Sequence, residues 1–243
     1  MVTLPTPYFS NERITLYHGD SRVIVPEILA NTQVELVVTD PPYGMSYLSK
    51  RGEVDSKFDT IHGDHEYDTD MLKLLRGAAR SAMYAFCRWD NIPEFVAAGL
   101  KPKSFISCVK NSWTMGDLEH EYGRQWEGCA FWPGPEHKWR NGRPADFIQY
   151  VRVGSKQMIH PTQKPEGLME IIIKQSEGET ILDPYAGSGS TLVAAKMLGL
   201  KCIGIEIDEH FCSVATERLK QAALLGDRFA IVKPIPMVQE ALF

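Results

Sequence analysis

The residues best suited to chemistry follow a short apolar run. Val34 to Thr39 predicts a buried strand, and the chain continues as Asp40-Pro41-Pro42-Tyr43. Two prolines remove two backbone donors and fix φ, which makes this backbone rigid at the carboxyl end of a strand, where α/β sheets bind ligands. The pattern favours a catalytic site, and its alternative is a Pro-Pro turn with an incidental acid.

These residue types suit activation of an exocyclic amine on a base. Such an amine is a weak nucleophile because its lone pair is delocalised into the ring. The Asp40 carboxylate and the Pro41 carbonyl can accept its two N–H bonds and stabilise the positive charge that develops during reaction. Tyr43 offers a ring on which an extruded base can stack. Asp40, Pro41, Pro42 and Tyr43 are therefore the candidate catalytic residues.

A second motif predicts a strand, a glycine turn and the start of a helix. It runs from Asp183 to Thr191 with the sequence Asp-Pro-Tyr-Ala-Gly-Ser-Gly-Ser-Thr. Gly187 and Gly189 lack a Cβ, so the backbone can turn tightly and approach a ligand. No lysine follows the second glycine and there is no GxGxxG, which disfavours a P-loop and weakens a dinucleotide site.

An acid follows this turn at a useful spacing. Glu206 ends the next predicted strand, about 20 positions after Asp183, where Rossmann-like sites place the carboxylate that binds ribose hydroxyls. Together the two features favour a cofactor that contains ribose and no phosphate. The alternative is that Glu206 only caps the helix that begins near Asp208.

The elements around these motifs predict one α/β sheet built from two halves. Neither half has enough strands for a complete sheet, so we expect them to form one together. The predicted strands are 13–17, 34–39, 81–86, 104–109, 180–182 and 201–205; the predicted helices are 22–29, 69–78, 91–98, 165–175, 190–198 and 209–223. The irregular stretch 44–67 is long for a plain connection, which favours a binding loop or lid.

The middle of the chain has a different composition. Between Lys101 and Lys164 ten cations face six anions, and four of the five tryptophans lie there: Trp113, Trp126, Trp132 and Trp139. Positive charge interleaved with aromatics suits a groove that binds nucleic acid. A solvated surface over a small aromatic core is the alternative, and the overall net charge of −5 weighs mildly against a nucleic-acid binder.

Composition excludes several other classes. No apolar run approaches the roughly 18 residues of a membrane span, and the first ten residues lack a signal-peptide pattern, so we expect a soluble, cytoplasmic protein. The five cysteines are scattered without CxxC spacing, which disfavours disulfides and zinc. His62 and His65 form a lone HxxH in a polar loop, which is more often solvated than ligating, and we expect no metal.

With both motifs considered, the chain resembles the amino-group DNA methyltransferases of the β arrangement, in which the catalytic motif precedes the cofactor motif. Asp40 to Tyr43 matches the catalytic motif, and Asp183 to Thr191 is similar to the cofactor loop, with Tyr185 replacing the commoner Phe and Ser190 extending the turn. His160-Pro161-Thr162-Gln163-Lys164-Pro165 is similar to the segment before that loop, and Gly19-Asp20 resembles the site that reads the cofactor's adenine.

The resemblance implies a Rossmann-like α/β fold that uses S-adenosylmethionine, with permuted motif order and an inserted target-recognition segment. It divides residues 1–243 into a catalytic half (1–110), the insertion (111–159) and a cofactor-binding half (160–243). It implies cofactor contacts from Asp20, His160, Lys164, Asp183, Tyr185, Gly187, Gly189, Thr191 and Glu206. Double-stranded DNA is the expected partner, with contacts predicted for Lys50, Arg51, Arg124, Lys138, Arg140 and Arg143.

Other activities are weighed against this one. Methylation at C5 of cytosine requires a nucleophilic cysteine, usually after proline, and no cysteine here follows a proline. Cytosine N4 stays open because the same geometry serves either amine, although Asp at position 40, where Ser is the alternative, favours N6 of adenine. Protein glutamine methylation normally goes with Asn at that position. A catalytically inactive DNA-binding relative is a further alternative. The resemblance also implies that homodimers are common, and it leaves a cognate endonuclease open.

Overall fold

The computed structural model describes residues 3–42, 68–114, 119–120, 122–151 and 164–225. They form a nine-stranded sheet in the order β1-β2-β9-β8-β3-β4-β6-β5-β7. The strands are β1 (Phe9–Ser10), β2 (Ile14–His18), β3 (Leu36–Thr39), β4 (Ala82–Cys87), β5 (Ser104–Thr114), β6 (Arg124–Pro133), β7 (Phe147–Tyr150), β8 (Thr180–Asp183) and β9 (Lys201–Glu206). The helices are α1 (Ser21–Asn31), α2 (Thr69–Ala78), α3 (Ile92–Ala97), α4 (Glu166–Ile173), α5 (Ser190–Met197) and α6 (Glu209–Leu225).

Seven strands run in one direction, and β1 and β6 run against them. The chain leaves β3 towards β4 on one side and leaves β8 towards β9 on the other, while β3 and β8 are themselves paired. This is the topological switch point of the sheet, where the crevice outside the strand ends binds ligands in open α/β folds.

Two buried clusters cover the two faces of the sheet. One contains side chains of α4, α5 and α6, including Leu168, Leu192 and Leu219. The other contains side chains of α1, α2 and α3, including Ile28 and Leu75. Successive strand residues alternate between the clusters, as the period of two in a strand requires. The apolar runs of the central strands are therefore buried on both sides.

The middle of the chain corrects the sequence prediction in part. Within the expected insertion at 111–159 we predicted no strand, yet β6 lies inside the sheet between β4 and β5, and β7 forms its edge. The run Cys129–Trp132 alternates between the two buried clusters, which gives it the burial of a central strand. Gly128 of β6 pairs with Cys87, the last residue of β4. Only the part of β6 before Gly128, with the facing part of β5, therefore extends past the end of β4.

The other elements match the sequence prediction closely. The six predicted strands and six predicted helices are all present, with ends that differ by a few residues, and the two halves share one sheet as expected. The two halves are interleaved in the sheet, because β8 and β9 of the second half lie between β2 and β3 of the first half. Among the helices that the structure describes, none is long and apolar enough to cross a membrane.

Candidate active site at the carboxyl edge of the sheet

Four acids lie at the ends of four neighbouring parallel strands. Asp20 follows β2, Glu206 ends β9, Asp183 ends β8 and Asp40 follows β3, and these strands are adjacent in that order. Parallel strands present their carboxyl ends at the same edge of a sheet, so residues far apart in sequence meet here. The structure thus brings both predicted motifs to the switch point.

Asp40 is held by a buried lysine. The Lys164 ammonium donates to Asp40 Oδ2 at 2.6 Å, and only 9% of the Lys164 side chain is exposed. The same ammonium lies 5.0 Å from the centre of the Phe86 ring, within the range of a cation–π interaction. Pro41 is buried and Pro42 is half-buried, which fixes the backbone beside the carboxylate. The resemblance implied a cofactor contact for Lys164, and the structure shows its side chain in contact with Asp40, the candidate catalytic carboxylate.

A second carboxylate reaches the same lysine from β6. Glu127 Oε2 lies 3.3 Å from Lys164 Nζ, and Glu127 also forms an ion pair with Lys110 of β5. Burial would raise the pKa of Glu127, but the charges of Lys164 and Lys110 outweigh it and lower that pKa to about 2. Sequence reasoning missed Glu127 because it lies in the middle stretch, where we expected an insertion.

The glycine turn has the geometry that the motif predicts. Gly187 and Gly189 have φ of 51° and 82°, in the left-handed region that favours glycine. A Cβ on Gly189 would lie 2.8 Å from the Cβ of Ala215 on α6, so this position also requires glycine for packing. A Cβ on Gly187 would meet nothing within 4 Å, which leaves open space above the turn for a ligand.

Glu206 holds this turn against β9. Its Oε2 accepts from the Gly187 N–H at 2.7 Å and its Oε1 accepts from the Asp208 N–H at 2.9 Å. Burial raises the pKa of Glu206, and these backbone donors oppose the rise. Glu206 therefore orders the turn and the start of α6. Each carboxylate oxygen has a further lone pair for a ribose hydroxyl.

Asp20 lies beside Glu206 across the β2–β9 pairing and caps α1. His18 is paired with Glu206, and the Asp20 side chain accepts from the Arg22 N–H at the start of the helix. The Arg22 guanidinium, 2.7 Å from Asp20 Oδ2, is the main cause of a lowered Asp20 pKa. The chemistry of these two carboxylates fits a ligand with hydroxyl or amine donors at this part of the edge.

Asp183 differs from the other strand-end acids because it is almost completely buried. Burial raises its pKa to about 7, although hydrogen bonds from Thr191 and the Tyr185 N–H oppose the rise. Tyr185 is half-buried and packs against the cluster on the α1 face, so the replacement of Phe keeps the packing. Asp183 and Thr191 therefore stabilise the glycine turn from its buried side.

Arg218 of α6 is a further residue that sequence reasoning missed. Its guanidinium donates to the Ser188 carbonyl and hydroxyl and lies 2.7 Å from the Glu166 carboxylate at the start of α4. Ser190 donates to the Lys164 carbonyl at 2.7 Å. The glycine turn, α6 and the Lys164 backbone are thus joined in one network. A lone arginine in an amphipathic helix gives no sequence signal for such a role.

The predicted DNA contacts separate into two groups. Arg124 begins β6 at the carboxyl edge, close to the exposed side chains of Trp113 and Trp126. Lys138 and Arg140 lie at the opposite edge, where Arg140 donates to the Gly178 carbonyl at 3.0 Å, about 17 Å from the carboxyl edge along β8. The two groups are separated because the antiparallel β6 carries the chain from the carboxyl edge to the opposite edge.

Of the remaining predicted residues, the structure describes Arg143, and the others lie outside the described residues. Arg143 is exposed in the connection that leads to β7. Trp89, which follows β4 after Arg88, is exposed at the carboxyl edge and was not singled out from the sequence. The predicted residues Tyr43, Lys50, Arg51 and His160 lie outside the described residues, as do His62 and His65.

A doubly covered sheet with a glycine turn and acids at its switch point defines the Rossmann-like fold of S-adenosylmethionine-dependent methyltransferases. A family model described as DNA methylase, for N6 and N4 methyltransferases, matches residues 110–217. The type II methyltransferase M2.LlaDCHI of Lactococcus lactis subsp. cremoris is 27% identical over 93% of this chain and 96% of its own length. The DNA adenine methyltransferase YhdJ of Escherichia coli is 26% identical over 88% of this chain and 85% of its own.

A solved structure agrees with these relatives. The M1.HpyAVI–SAM complex has a TM-score of 0.63 and 26% identity, and the match covers 85% of this chain and 100% of that one. The chain is thus similar to amino-group DNA methyltransferases in sequence and in fold.

Proposed function

We propose that this protein is a site-specific DNA methyltransferase that moves a methyl group from S-adenosylmethionine to N6 of a flipped-out adenine. The observation that carries the proposal is the Asp40 carboxylate, held by Lys164 at the end of β3 and at the switch point of the sheet. S-adenosylmethionine, when bound, supplies the electrophilic methyl group. The turn at Gly187, with Glu206 and Asp20 beside it, is the proposed cofactor site.

Residues of this chain bind the target amine and the base that carries it. Asp40 and the Pro41 carbonyl accept the amine N–H bonds and stabilise the positive charge that develops on nitrogen. The Lys164 ammonium donates to Asp40 Oδ2 and restrains the orientation of this carboxylate. The proposed stacking partner of the base, Tyr43, follows the two prolines directly.

Adenine is favoured over cytosine by the type of residue at position 40. A carboxylate gives the stronger acceptor for an amine, whereas the N4 methyltransferases are expected to carry serine there. YhdJ, with 26% identity, is named as a DNA adenine methyltransferase, which supports this choice of base. Methylation of cytosine N4 is the second candidate because the same geometry can hold either amine.

The β5–β6 hairpin is the proposed DNA-contacting element. Trp113 and Trp126 are 69% and 45% exposed and lie on the part of the hairpin that extends past β4, together with Arg124. Exposed tryptophans near a cation suit contacts with unstacked bases and phosphates. A homodimer and a cognate endonuclease stay predictions that rest on the resemblance.

The activity is tested with labelled S-adenosylmethionine and DNA from a strain that lacks its own methylation. Mass spectrometry of digested product DNA should show N6-methyladenine, and N4-methylcytosine as the sole product would overturn the choice of base. No label in DNA of any sequence would overturn the proposed class.

The matched variant for this assay is Asp40→Asn. Asparagine keeps the shape but has no charge to stabilise the cationic amine, so single-turnover methyl transfer should fall by about a hundredfold to a thousandfold. Affinity for cofactor and DNA should stay near that of the unmodified protein. A wild-type rate for this variant would contradict the assigned role of Asp40.

A further inference from the structure

Arg218 is a buried arginine on the part of α6 that packs against the glycine turn. It is 8% exposed, and no other arginine is buried among the residues that the structure describes. Ala215, three positions earlier and thus on the same side of the helix, is so close to the turn that a Cβ on Gly189 would lie 2.8 Å from its own Cβ. Helix α6 therefore brings the Arg218 guanidinium directly against the backbone of the turn.

The guanidinium of Arg218 contacts two separate parts of the chain. In the glycine turn it donates to the carbonyl and the hydroxyl of Ser188, the hydroxyl at 2.9 Å. On the other side it lies 2.7 Å from the carboxylate of Glu166, the first residue of α4. Arg218 Nη2 is also 3.3 Å from the Ser190 hydroxyl, which itself donates to the Lys164 carbonyl at 2.7 Å. Arg218 thus joins the glycine turn to residues 164–166.

These two parts of the chain belong to the two halves of the proposed reaction. The glycine turn is the proposed cofactor site, and residues 164–166 begin with the lysine whose ammonium donates to Asp40. Methyl transfer requires the methyl carbon and the acceptor nitrogen to be held close together and in line, and a misplacement of about 1 Å can cost about a hundredfold in rate. A rigid link between the two parts therefore bears on the rate of reaction.

The residue type suits a rigid link. A guanidinium carries its N–H donors in a fixed planar fork, whereas a lysine ammonium is a single point of charge on a flexible stem. Arg218 directs Nη1 at Ser188 and Nη2 at Glu166, so the plane of the group fixes the angle between these two contacts. Buried ion pairs seldom stabilise a fold more than apolar residues of the same volume would, so stability alone does not explain the arrangement.

We infer that Arg218 is a positioning residue for methyl transfer: it holds the glycine turn at a fixed distance from residues 164–166 and so sets the bound methyl donor relative to Asp40. This inference rests on the proposed function, because it requires a methyl donor at the turn and an amine at Asp40. In this role Arg218 acts through Ser188 and Glu166 and needs no contact with the cofactor or the base.

Arg218→Lys tests the inference because it keeps the charge and removes the fork. With saturating S-adenosylmethionine and methylation-free genomic DNA, the single-turnover rate constant should fall by about tenfold or more. The Kd values for cofactor and DNA should change by less than about threefold, since the turn keeps its bond to Glu206 and shifts as a unit. A purely structural role would lower the melting temperature or the reaction amplitude and leave the rate constant per active site unchanged.

Arg13→Lys is the matched control for this variant. Arg13 also donates to a backbone carbonyl, that of Gly199, but Gly199 follows the far end of α5 and lies at the opposite edge of the sheet from the glycine turn. Its replacement should leave the rate constant at the wild-type value. An equal loss in Arg13→Lys and Arg218→Lys would overturn the inference, because the loss would then not depend on the link to residues 164–166.

Glu166→Ala covers the risk that a change at the buried Arg218 prevents folding. The Glu166 side chain is 41% exposed, so its removal leaves the core intact but detaches Arg218 from α4. The rate constant should fall by about threefold or more, whereas Glu170→Ala, which breaks a pair with Lys174 one turn later on the same helix, should keep the wild-type value. A wild-type rate constant in Arg218→Lys or in Glu166→Ala would overturn the role of Arg218. Absence of methyl transfer by the unmodified protein would overturn the proposed function, and the inference with it.

Discussion

At the scale of single residues, Asp183 shows how burial changes the chemistry of a strand-end acid. Its pKa is raised to about 7, well above the ordinary value of an aspartate, mainly because it is buried. Between roughly pH 4 and pH 7 the folded protein therefore binds a proton that the unfolded chain has released. The stability that this proton contributes is complete below about pH 4 and is lost as the pH rises through 7.

Asp183→Asn should remove this pH dependence, because asparagine has no proton to lose. The free energy of unfolding of the wild type should fall relative to that of the variant between pH 5 and pH 8, by no more than about 3 kcal/mol. Urea denaturation at both pH values measures the difference. Asp70→Asn, an exposed residue paired with Lys73, serves as the control and should show almost no change. An equal gap between variant and wild type at both pH values would contradict the prediction.

At the scale of elements, β6 gives two tryptophans opposite roles. Trp126 lies at its start, at the carboxyl edge, and is 45% exposed, whereas Trp132 lies near its end and is 3% exposed. Trp132 packs edge to face against Phe95 of α3, with 5.6 Å between the ring centroids. The same residue type in one strand thus serves as a proposed DNA contact at one end and as part of the core at the other.

Alanine substitution should separate these roles. Trp126→Ala should weaken DNA binding by about 1 to 3 kcal/mol, the contribution of one base stack, with little change in melting temperature. Trp132→Ala should instead lower the free energy of unfolding by about 3 to 5 kcal/mol, because it leaves a large cavity. Fluorescence anisotropy with labelled DNA and urea denaturation measure the two effects. Unchanged DNA binding by Trp126→Ala would place that end of the hairpin away from DNA.

At the scale of the whole molecule, the sheet order makes the two halves of the sequence depend on each other. Strands β8 and β9 lie between β2 and β3, so the proposed cofactor site and the catalytic motif share one continuous set of strand pairings. The buried Trp132 lies on β6, on the other side of β3 from β8 and β9. Its exposure on unfolding therefore reports whether the two halves are coupled.

We expect thermal unfolding in one transition, with S-adenosylmethionine shifting it equally by tryptophan fluorescence and by far-ultraviolet circular dichroism. At a cofactor concentration of about 100 times Kd the added stability should be about 2.7 kcal/mol. A shift in circular dichroism without a shift in fluorescence would show that the cofactor half unfolds separately.

The sequence by itself determined the two motifs, the class of chemistry and most elements. Asp40-Pro41-Pro42 and the turn at Gly187 and Gly189 are local patterns, because backbone rigidity and positive φ depend on the residue type at each position. The strands that surround them are apolar runs buried on both sides, which sequence periodicity detects. These predictions required no knowledge of which strands are neighbours.

Only the tertiary structure decided which distant side chains meet. Lys164 was predicted to contact the cofactor, and its side chain instead forms an ion pair with Asp40. Glu127, which was not singled out from the sequence, lies beside the same ammonium. Arg140 lies at the edge of the sheet opposite to Arg124. The physical reason is that pairing between strands far apart in sequence sets these positions. The antiparallel direction of β6 puts its first residues at the candidate active site and takes its last residues away from it.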